Sequence, residues 1–309
     1  MCFLCFVFRE KERDAHIPIL ECQNPEIHLN TCVKTFKHYF NITENAEFFI
    51  KDPFQDLEDK TLIFFDTETT GFSPHTRQVT EIAAISVSGK DFKQKETFQR
   101  FIKLSPRTHR QIKWQAENPP DPEDKKAIRK RGKSIEELLQ MTDYQEDKAV
   151  EGERKVLYDF MEFVRKHNNP VLVAHNARFD MKMVMTKLNR YYRYNAPRFK
   201  VLDTLKFSRL FLLPAIQSLT AKGDKDAEEM LELLKNYGKR KNFISSSLGN
   251  LNQLVKDRLQ KINWHSGLSD VQVTVELFGF IRDYWEQHKG ELDDPVFRQE
   301  YAKAHRKKF

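Results

Sequence analysis

The sequence has few cysteines, four in 309 residues, and no long apolar run. Four cysteines do not make a disulfide scaffold, so we expect a reducing compartment. No apolar stretch approaches the ~18 residues of a membrane-spanning helix, which predicts a soluble protein without a membrane partner. The apolar opening segment, residues 1–8, lacks a preceding basic region and is followed by R-E-K-E-R-D, unlike a signal peptide. We therefore expect an intracellular protein of cytoplasm or nucleus that is not secreted.

The chain is basic, with a net charge of +7 and a pI of about 9.0. Such a balance favours a polyanionic partner, either nucleic acid or an anionic surface, although a solvated lysine surface gives the same balance. Charged residues make up 31% of the sequence, and 25 phenylalanines supply material for a sizeable core. The length predicts one large core with an appendage, or two modest domains.

Changes in composition divide the chain into segments. We predict an N-terminal appendage over residues 1–58, a main domain over 59–288 and a basic tail over 289–309. The main domain carries two polar insertions, about residues 105–150 and 216–247.

The appendage contains a C-x2-C pair and an H-x3-C pair that could ligate zinc tetrahedrally, formed by Cys2, Cys5, His28 and Cys32. Cys22 and His16 are spare candidates. The alternative is that these are buried free cysteines, which are common in intracellular proteins. Metal analysis of the purified protein distinguishes the two.

The central motif is T-L-I-F-F-D-T-E-T-T-G-F at residues 61–72. Its apolar part predicts a strand buried on both faces, with Asp66 and Glu68 at the carboxyl end. Side chains at i and i+2 of a strand share a face, so these two carboxylates repel each other unless a cation lies between them. Hard divalent ions such as Mg²⁺ are bound by oxygen clusters of this kind, although an acidic strand end can also occur without an ion.

Strands are also predicted over residues 79–87, 91–104, 171–174 and 199–202, the first two forming an antiparallel meander with the central strand. Asp180 lies in the first turn of a helix that follows the strand at 171–174, with Asn176 as its cap. Asp270 follows His265 in W-H-S-G-L-S-D. The apolar residues after it fit either a strand or a helix, and we predict a helix because the pattern continues as far as Trp285.

Three motifs together, D-T-E-T-T-G at 66–71, H-N-A-R-F-D at 175–180 and H-x4-D at 265–270, resemble the DEDDh branch of the DnaQ-like 3′–5′ exonucleases. The resemblance covers roughly residues 60–285. It implies an α/β, RNase H-like fold with a mixed five-stranded sheet flanked by helices. It also implies that two Mg²⁺ or Mn²⁺ ions are held by Asp66, Glu68, Asp180 and Asp270.

By the same resemblance, His265 is the general base, Thr69 holds the terminal nucleotide, and Phe72 wedges against a base. The chemistry agrees, since two ions can serve both ends of a phosphodiester displacement and four carboxylates balance their charge. A histidine with a pKa near 6.5 can take the proton of the attacking water. For Phe72, an ordinary hydrophobic contact is the alternative.

The resulting function is hydrolysis of DNA from a free 3′ end, with release of nucleoside 5′-monophosphates. An exoribonuclease with the same chemistry is the main alternative, because no residue reports on the 2′-hydroxyl. A nucleic-acid-binding module without activity is a third reading, and the presence of all five motif residues argues against it.

Overall fold

The computed structural model describes residues 54, 57–118, 151–192, 199–237, 244–259 and 266–290. Outside these residues lie nearly all of the appendage, most of the first insertion, nearly all of the basic tail, and His265. The zinc candidates Cys2, Cys5, His28 and Cys32 are also outside, so that site stays a prediction. None of the helices in the described ranges combines the length and apolar composition that a membrane crossing requires.

A mixed sheet of six strands forms the centre of the described part, in the order β4-β3-β2-β1-β5-β6. The strands are β1 (Thr61–Thr69), β2 (Val79–Ser88), β3 (Gln94–Lys103), β4 (Glu151–Gly152), β5 (Pro170–Ala174) and β6 (Lys200–Asp203). Strands β1, β2 and β3 form the predicted antiparallel meander, whereas β4, β5 and β6 each join a neighbour in parallel. The predicted α/β fold is confirmed. The strand beyond the expected five is β4, whose two residues are too short to show an apolar pattern.

Eight α-helices lie in the described ranges. They are α1 (Pro106–Glu117), α2 (Glu153–Arg165), α3 (Ala177–Tyr192), α4 (Thr204–Phe207), α5 (Leu213–Ala221), α6 (Lys225–Tyr237), α7 (Leu248–Leu251) and α8 (Gly267–His288). A π-helical turn (Ser208–Leu212) and two 3₁₀ turns (Asn252–Leu254 and Lys256–Arg258) complete the set. The segment with the ambiguous apolar pattern is helix α8, as predicted. Both polar insertions contain helices, since α1 opens the first and α6 lies within the second.

The two faces of the sheet carry separate hydrophobic cores. Leu62 and Phe64 of β1 belong to the core that α8 covers, where the ring of Phe278 lies 5.4 Å from that of Phe64. Ile63 and Phe65 belong to the other core, which α2 and α3 cover. Because strand side chains alternate between faces, Asp66 and Glu68 continue the α8 side of β1 and Thr67 the α3 side. This alternation decides which helix can supply a partner to each residue.

Gly89 allows the turn after β2 to approach the chain before β1. Its amide N–H donates to Lys60 O over 3.0 Å, and a Cβ atom on it would lie 1.7 Å from Leu57 O. We expect Gly89→Ala to lower the free energy of unfolding by about 1–3 kcal/mol, because backbone atoms would have to move apart. Urea denaturation measures the difference.

The matched control is Gly249→Ala in α7, where a Cβ atom meets nothing within 4 Å. This change should leave stability unchanged or raise it by up to about 1 kcal/mol. Equal midpoints for the two variants would contradict the close approach at Gly89.

Candidate active site

Three carboxylates meet at the carboxyl-terminal end of β1. Ligand oxygens of Asp66, Glu68 and Asp270 all lie within 4.8 Å of one another, and all three residues are partly buried. Asp66 and Glu68 come from β1, and Asp270 comes from the first turn of α8. Carboxylate oxygens grouped in this way are the ligands that Mg²⁺ and Mn²⁺ prefer. The residues therefore fit a divalent cation.

The start of α8 is shaped to bring Asp270 close to the sheet. Ser266 caps the helix, with its Oγ accepting from the Ser269 N–H over 3.3 Å and its carbonyl accepting from the Asp270 N–H over 3.2 Å. Gly267 lies directly on β2, since a Cβ atom there would be 3.2 Å from Cδ of Glu81 and 3.4 Å from Cβ of Ala83. A larger residue at 267 would have to displace those side chains.

Asp180 reaches β1 from the other side. The residue is 2% exposed, and its Oδ1 accepts from the Thr67 N–H over 3.0 Å and from the Thr67 hydroxyl over 2.6 Å. It is not one of the three acids within 4.8 Å of one another, although its charge acts on Asp66. The structure thus brings three of the four predicted metal ligands together and places the fourth beside them, anchored to Thr67.

Burial and like charges raise the pKa of two of these acids, Asp66 and Asp180. The pKa of Asp66 is raised well above its usual range by burial first, and then by the charges of Asp180, Glu68, Asp270 and Glu81. Burial raises the pKa of Asp180 to about 7, although the hydrogen bonds from Thr67 oppose the shift. A bound cation would take the place of these protons, because it stabilises the ionised carboxylates.

Glu81 is an acid at the site for which the sequence predicted no role. It is 3% exposed, pairs with Glu68 across β1 and β2, and accepts a 2.8 Å hydrogen bond from the Gln99 side chain. The T-E-I-A-A-I string marked β2 as a strand. Only the register of the two strands places Glu81 opposite Glu68.

His175, in the second motif, is a structural histidine. Its Nε2 lies 3.0 Å from the carbonyl of Ser246, so Nε2 carries the proton, and Nδ1 accepts from the Thr204 hydroxyl over 2.9 Å. Burial lowers its pKa to about 4, which keeps it neutral near pH 7. It joins the end of β5 to the chain before α7.

The turn between β5 and α3 is held by Asp203. Its Oδ1 accepts from the Asn176 N–H over 2.9 Å. Asn176 lies just before α3 with a φ of 68°, and its carbonyl accepts from the Phe179 N–H over 2.8 Å. Asn176 therefore lies directly before α3, and its predicted role as the cap stays a prediction.

Thr69 and Phe72 lie on the loop that leaves β1. The buried Thr69 hydroxyl donates to Gly71 O over 3.0 Å, and Gly71 has a φ of 146°, which favours glycine. Phe72 is 62% exposed, and its ring lies 6.1 Å from that of Phe179, edge to face. Phe179 immediately precedes Asp180, so an aromatic pair lies next to the acids. The apolar position before Asp180 is the only sequence signal for Phe179.

The sequence pattern of the DNA polymerase family B exonuclease domain matches residues 19–212, more than half of the chain. The chain belongs to this exonuclease family. The predicted membership of the DnaQ-like 3′–5′ exonucleases is thereby confirmed. The match ends before Asp270, whose place in the site rests on the geometry.

Curated relatives of this exonuclease domain include the PolC-type DNA polymerase III of two bacteria. The Staphylococcus haemolyticus protein is 33% identical over 155 residues, and the Bacillus subtilis protein 28% over 162 residues. These alignments cover 50% and 52% of this chain but 9% of each relative. Among solved structures, E. coli exonuclease I in complex with a dT13 oligonucleotide has a TM-score of 0.50 at 16% identity, covering 75% of this chain and 43% of that one. This likeness shows a shared fold.

Repulsion among the acids makes a stability prediction for the metal-free exonuclease domain. The raised pKa of Asp66 means that stability present at low pH is lost as the pH rises from the ordinary value of 3.8 through the folded pKa. Asp66→Asn should therefore raise the free energy of unfolding at pH 7 in chelator, by on the order of 1 kcal/mol. Urea denaturation at pH 5 and pH 8 measures the effect.

Asp257→Asn, at an exposed position, is the control and should not change the pH dependence. If Asp66→Asn destabilises the protein in chelator equally at pH 5 and pH 8, this result would contradict the predicted repulsion between Asp66 and the neighbouring acids.

Proposed function

We propose that this chain is a divalent-metal-dependent 3′–5′ exonuclease that hydrolyses DNA. The observation that carries the proposal is the meeting of Asp66, Glu68 and Asp270 within 4.8 Å, in a chain that belongs to an exonuclease family. The activity, substrate and partners of the whole protein are part of the proposal, because the chain spans 9% of the curated relatives it matches.

Four acids would hold two Mg²⁺ or Mn²⁺ ions in this proposal: Asp66, Glu68, Asp180 and Asp270. When bound, such ions lower the pKa of water and offset the charge that develops on the phosphate. The raised pKa of Asp66 and of Asp180 supports the assignment, since each carboxylate gains when a cation replaces its proton. Thr67 would hold Asp180 in place through Oδ1.

His265 would act as the general base and take the proton from the attacking water. The oxygen of that water forms a bond to phosphorus, the bond from phosphorus to the 3′-oxygen breaks, and that oxygen takes up a proton. The products are a nucleoside 5′-monophosphate and a strand shortened by one nucleotide. His265 precedes the start of α8 by two residues. The neutral, doubly hydrogen-bonded His175 does not compete for this role.

The remaining residues would position the end of the strand. Thr69 and Gly71 shape the loop next to the acids, and Phe72 with Phe179 offers aromatic surface to the terminal base. Stacking on an aromatic ring accepts any base, which suits stepwise degradation. The similarity to DNA polymerase chains supports DNA as the substrate. RNA is an outcome of the test below.

Asp270→Asn and Asp180→Asn should each abolish nuclease activity, by at least about 100-fold, and leave the fold intact. The physical reason is the loss of a charged metal ligand from the site. Matched single- and double-stranded DNA and RNA, labelled at either end, are incubated with Mg²⁺, Mn²⁺ or chelator. We expect loss of nucleotides from the 3′ end of DNA, with none in chelator.

Asp257→Asn again serves as the control and should retain wild-type activity. Full activity of either site variant would refute the metal assignment. Faster degradation of RNA than of DNA would replace the proposed substrate by the alternative, and 5′-end release would refute the polarity.

Phe72→Ala should weaken binding of the 3′ end of the nucleic acid more than it lowers the stability of the fold. The side chain is 62% exposed, so its removal costs little buried surface, whereas loss of a stacked base should raise KM about fivefold or more. Steady-state kinetics on a single-stranded oligonucleotide, with a thermal melt, measure both effects.

Leu233→Ala removes another exposed apolar side chain, 40% exposed on α6, and should leave KM unchanged. An unchanged KM for Phe72→Ala, or a loss of stability that accounts for the change, would mean that Phe72 makes only a hydrophobic contact.

A further inference from the structure

Helix α1 presents a tryptophan to solvent among positive charges. Trp114 is 61% exposed, and in the described part of the chain only Phe72 is a more exposed large hydrophobic residue. Arg107, Arg110 and Lys113 are also exposed on this helix. Neither the metal chemistry nor the terminal nucleotide site uses these residues.

The aromatic ring and the arginines lie on one side of the helix. Arg107, Arg110 and Trp114 are spaced i, i+3 and i+7, which places them in one stripe. Lys113 lies beside the stripe, and Ile112, which is 3% exposed, marks the opposite, packed side. The exposed stripe thus joins cationic side chains with a flat apolar ring.

The helix begins at the same end of the sheet as the acids, where β1 and β3 finish. Phe101 of β3 pairs with Glu81 of β2, which in turn pairs with Glu68 of β1. Four residues after Phe101, Ser105 caps α1, with its Oγ accepting from the Thr108 N–H over 3.1 Å. The strand order therefore fixes the start of α1 near the row that contains Glu68.

Gln78 connects the first turn of α1 to the loop of the proposed nucleotide site. Its Oε1 accepts from the Ser105 N–H over 2.9 Å and from the Thr108 hydroxyl over 2.8 Å, while its Nε2 donates to Lys103 O over 2.8 Å. Its backbone N–H donates to the Thr70 hydroxyl over 3.0 Å, and its carbonyl accepts from the Thr70 N–H over 2.9 Å. Gln78 is 6% exposed, so the side chain that makes this connection is itself buried.

We propose that α1 binds the single-stranded nucleic acid upstream of its 3′ end, with a base stacked on Trp114 and phosphates bound by Arg107 and Arg110. This inference rests on the proposed function and names a second contact region for the same substrate. A single-stranded nucleic acid is the occupant because it offers unpaired bases for stacking and a regular negative charge for the arginines.

In this proposal the contact with α1 lies beyond the terminal nucleotide. Trp114 follows the start of α1 by eight residues, which is about 12 Å along a helix. A substrate with one nucleotide would fill the acidic site without reaching the ring. The contribution of α1 should therefore depend on the length of the substrate.

Two measurements on the full chain test the proposal. Binding of a 20-nucleotide oligodeoxythymidylate with a 5′ fluorophore is followed by anisotropy in chelator, so that it does not require turnover. Hydrolysis of the 20-mer and of the p-nitrophenyl ester of thymidine 5′-monophosphate is then measured with Mg²⁺ or Mn²⁺. The variants are Trp114→Ala, Trp114→Phe and Arg107→Ala/Arg110→Ala, with Leu233→Ala and Lys90→Ala as controls. Lys90 is exposed next to the β2–β3 turn, at the opposite end of the sheet.

Trp114→Ala should raise Kd for the 20-mer about 5- to 100-fold, and Trp114→Phe should recover most of that loss because it restores a ring. In kcat/KM, the loss on the 20-mer should exceed the loss on the ester at least fivefold. The double arginine variant should flatten the slope of log Kobs against log salt by about 1.4, since each phosphate contact on a single strand contributes about 0.7. Both controls should bind and hydrolyse as the wild type does.

Wild-type binding of the 20-mer by Trp114→Ala would overturn the inference, as would equal losses on the 20-mer and the ester. If the wild type hydrolyses the 20-mer while Trp114→Ala binds it normally, the role of α1 in binding the nucleic acid is refuted and the exonuclease proposal stands. If the wild type hydrolyses neither substrate but Trp114→Ala lowers binding, the exonuclease proposal is refuted and the role of α1 in binding the strand is supported.

Discussion

Repulsion between partly buried carboxylates is the constraint on which this structure depends. Three acids share a space of 4.8 Å, and Asp180 adds its charge from the neighbouring helix. Such an arrangement is unfavourable by itself, because burial and like charges both disfavour ionisation. Two hydrophobic cores hold it together, with Phe278 of α8 against Phe64 on one face of β1 and Phe160 of α2 against Phe65 on the other. The energy of packing thus maintains a site that a divalent cation would stabilise.

The alternation of β1 distributes the chemistry between the two sides of the sheet. Asp66 and Glu68 point toward the layer of α8, which supplies Asp270, whereas Thr67 points toward α3, which supplies Asp180. One strand can therefore receive an acid from each layer without either helix crossing the sheet. Gly267 favours this arrangement, since it allows the start of α8 to lie close to Glu81 and Ala83.

The local charge at the acidic site and the net charge of the chain have opposite signs, and both fit the proposed substrate. Acids are concentrated at one point, where cations would bind, while the chain as a whole has a net charge of +7. A polyanion is attracted by the net positive charge of the chain. Its phosphates would approach the acidic site only when metal ions are bound there. Gln78 and Thr70 join the loop beside the acids to the basic helix α1, so hydrogen bonds connect the two proposed contact regions.

Residue order alone predicted the α/β sheet, the central strand with Asp66 and Glu68, the helical reading of α8 and the exonuclease family, because alternation, helical spacing and short motifs are local signals. It predicted no role for Glu81 or Phe179, no strand at Glu151–Gly152 and no anchoring of Asp180 by Thr67. These features depend on register and on contacts between residues up to 113 positions apart, which no local pattern encodes. The tertiary structure also decided that His175 is a neutral structural residue, because only burial and its two partners set its pKa.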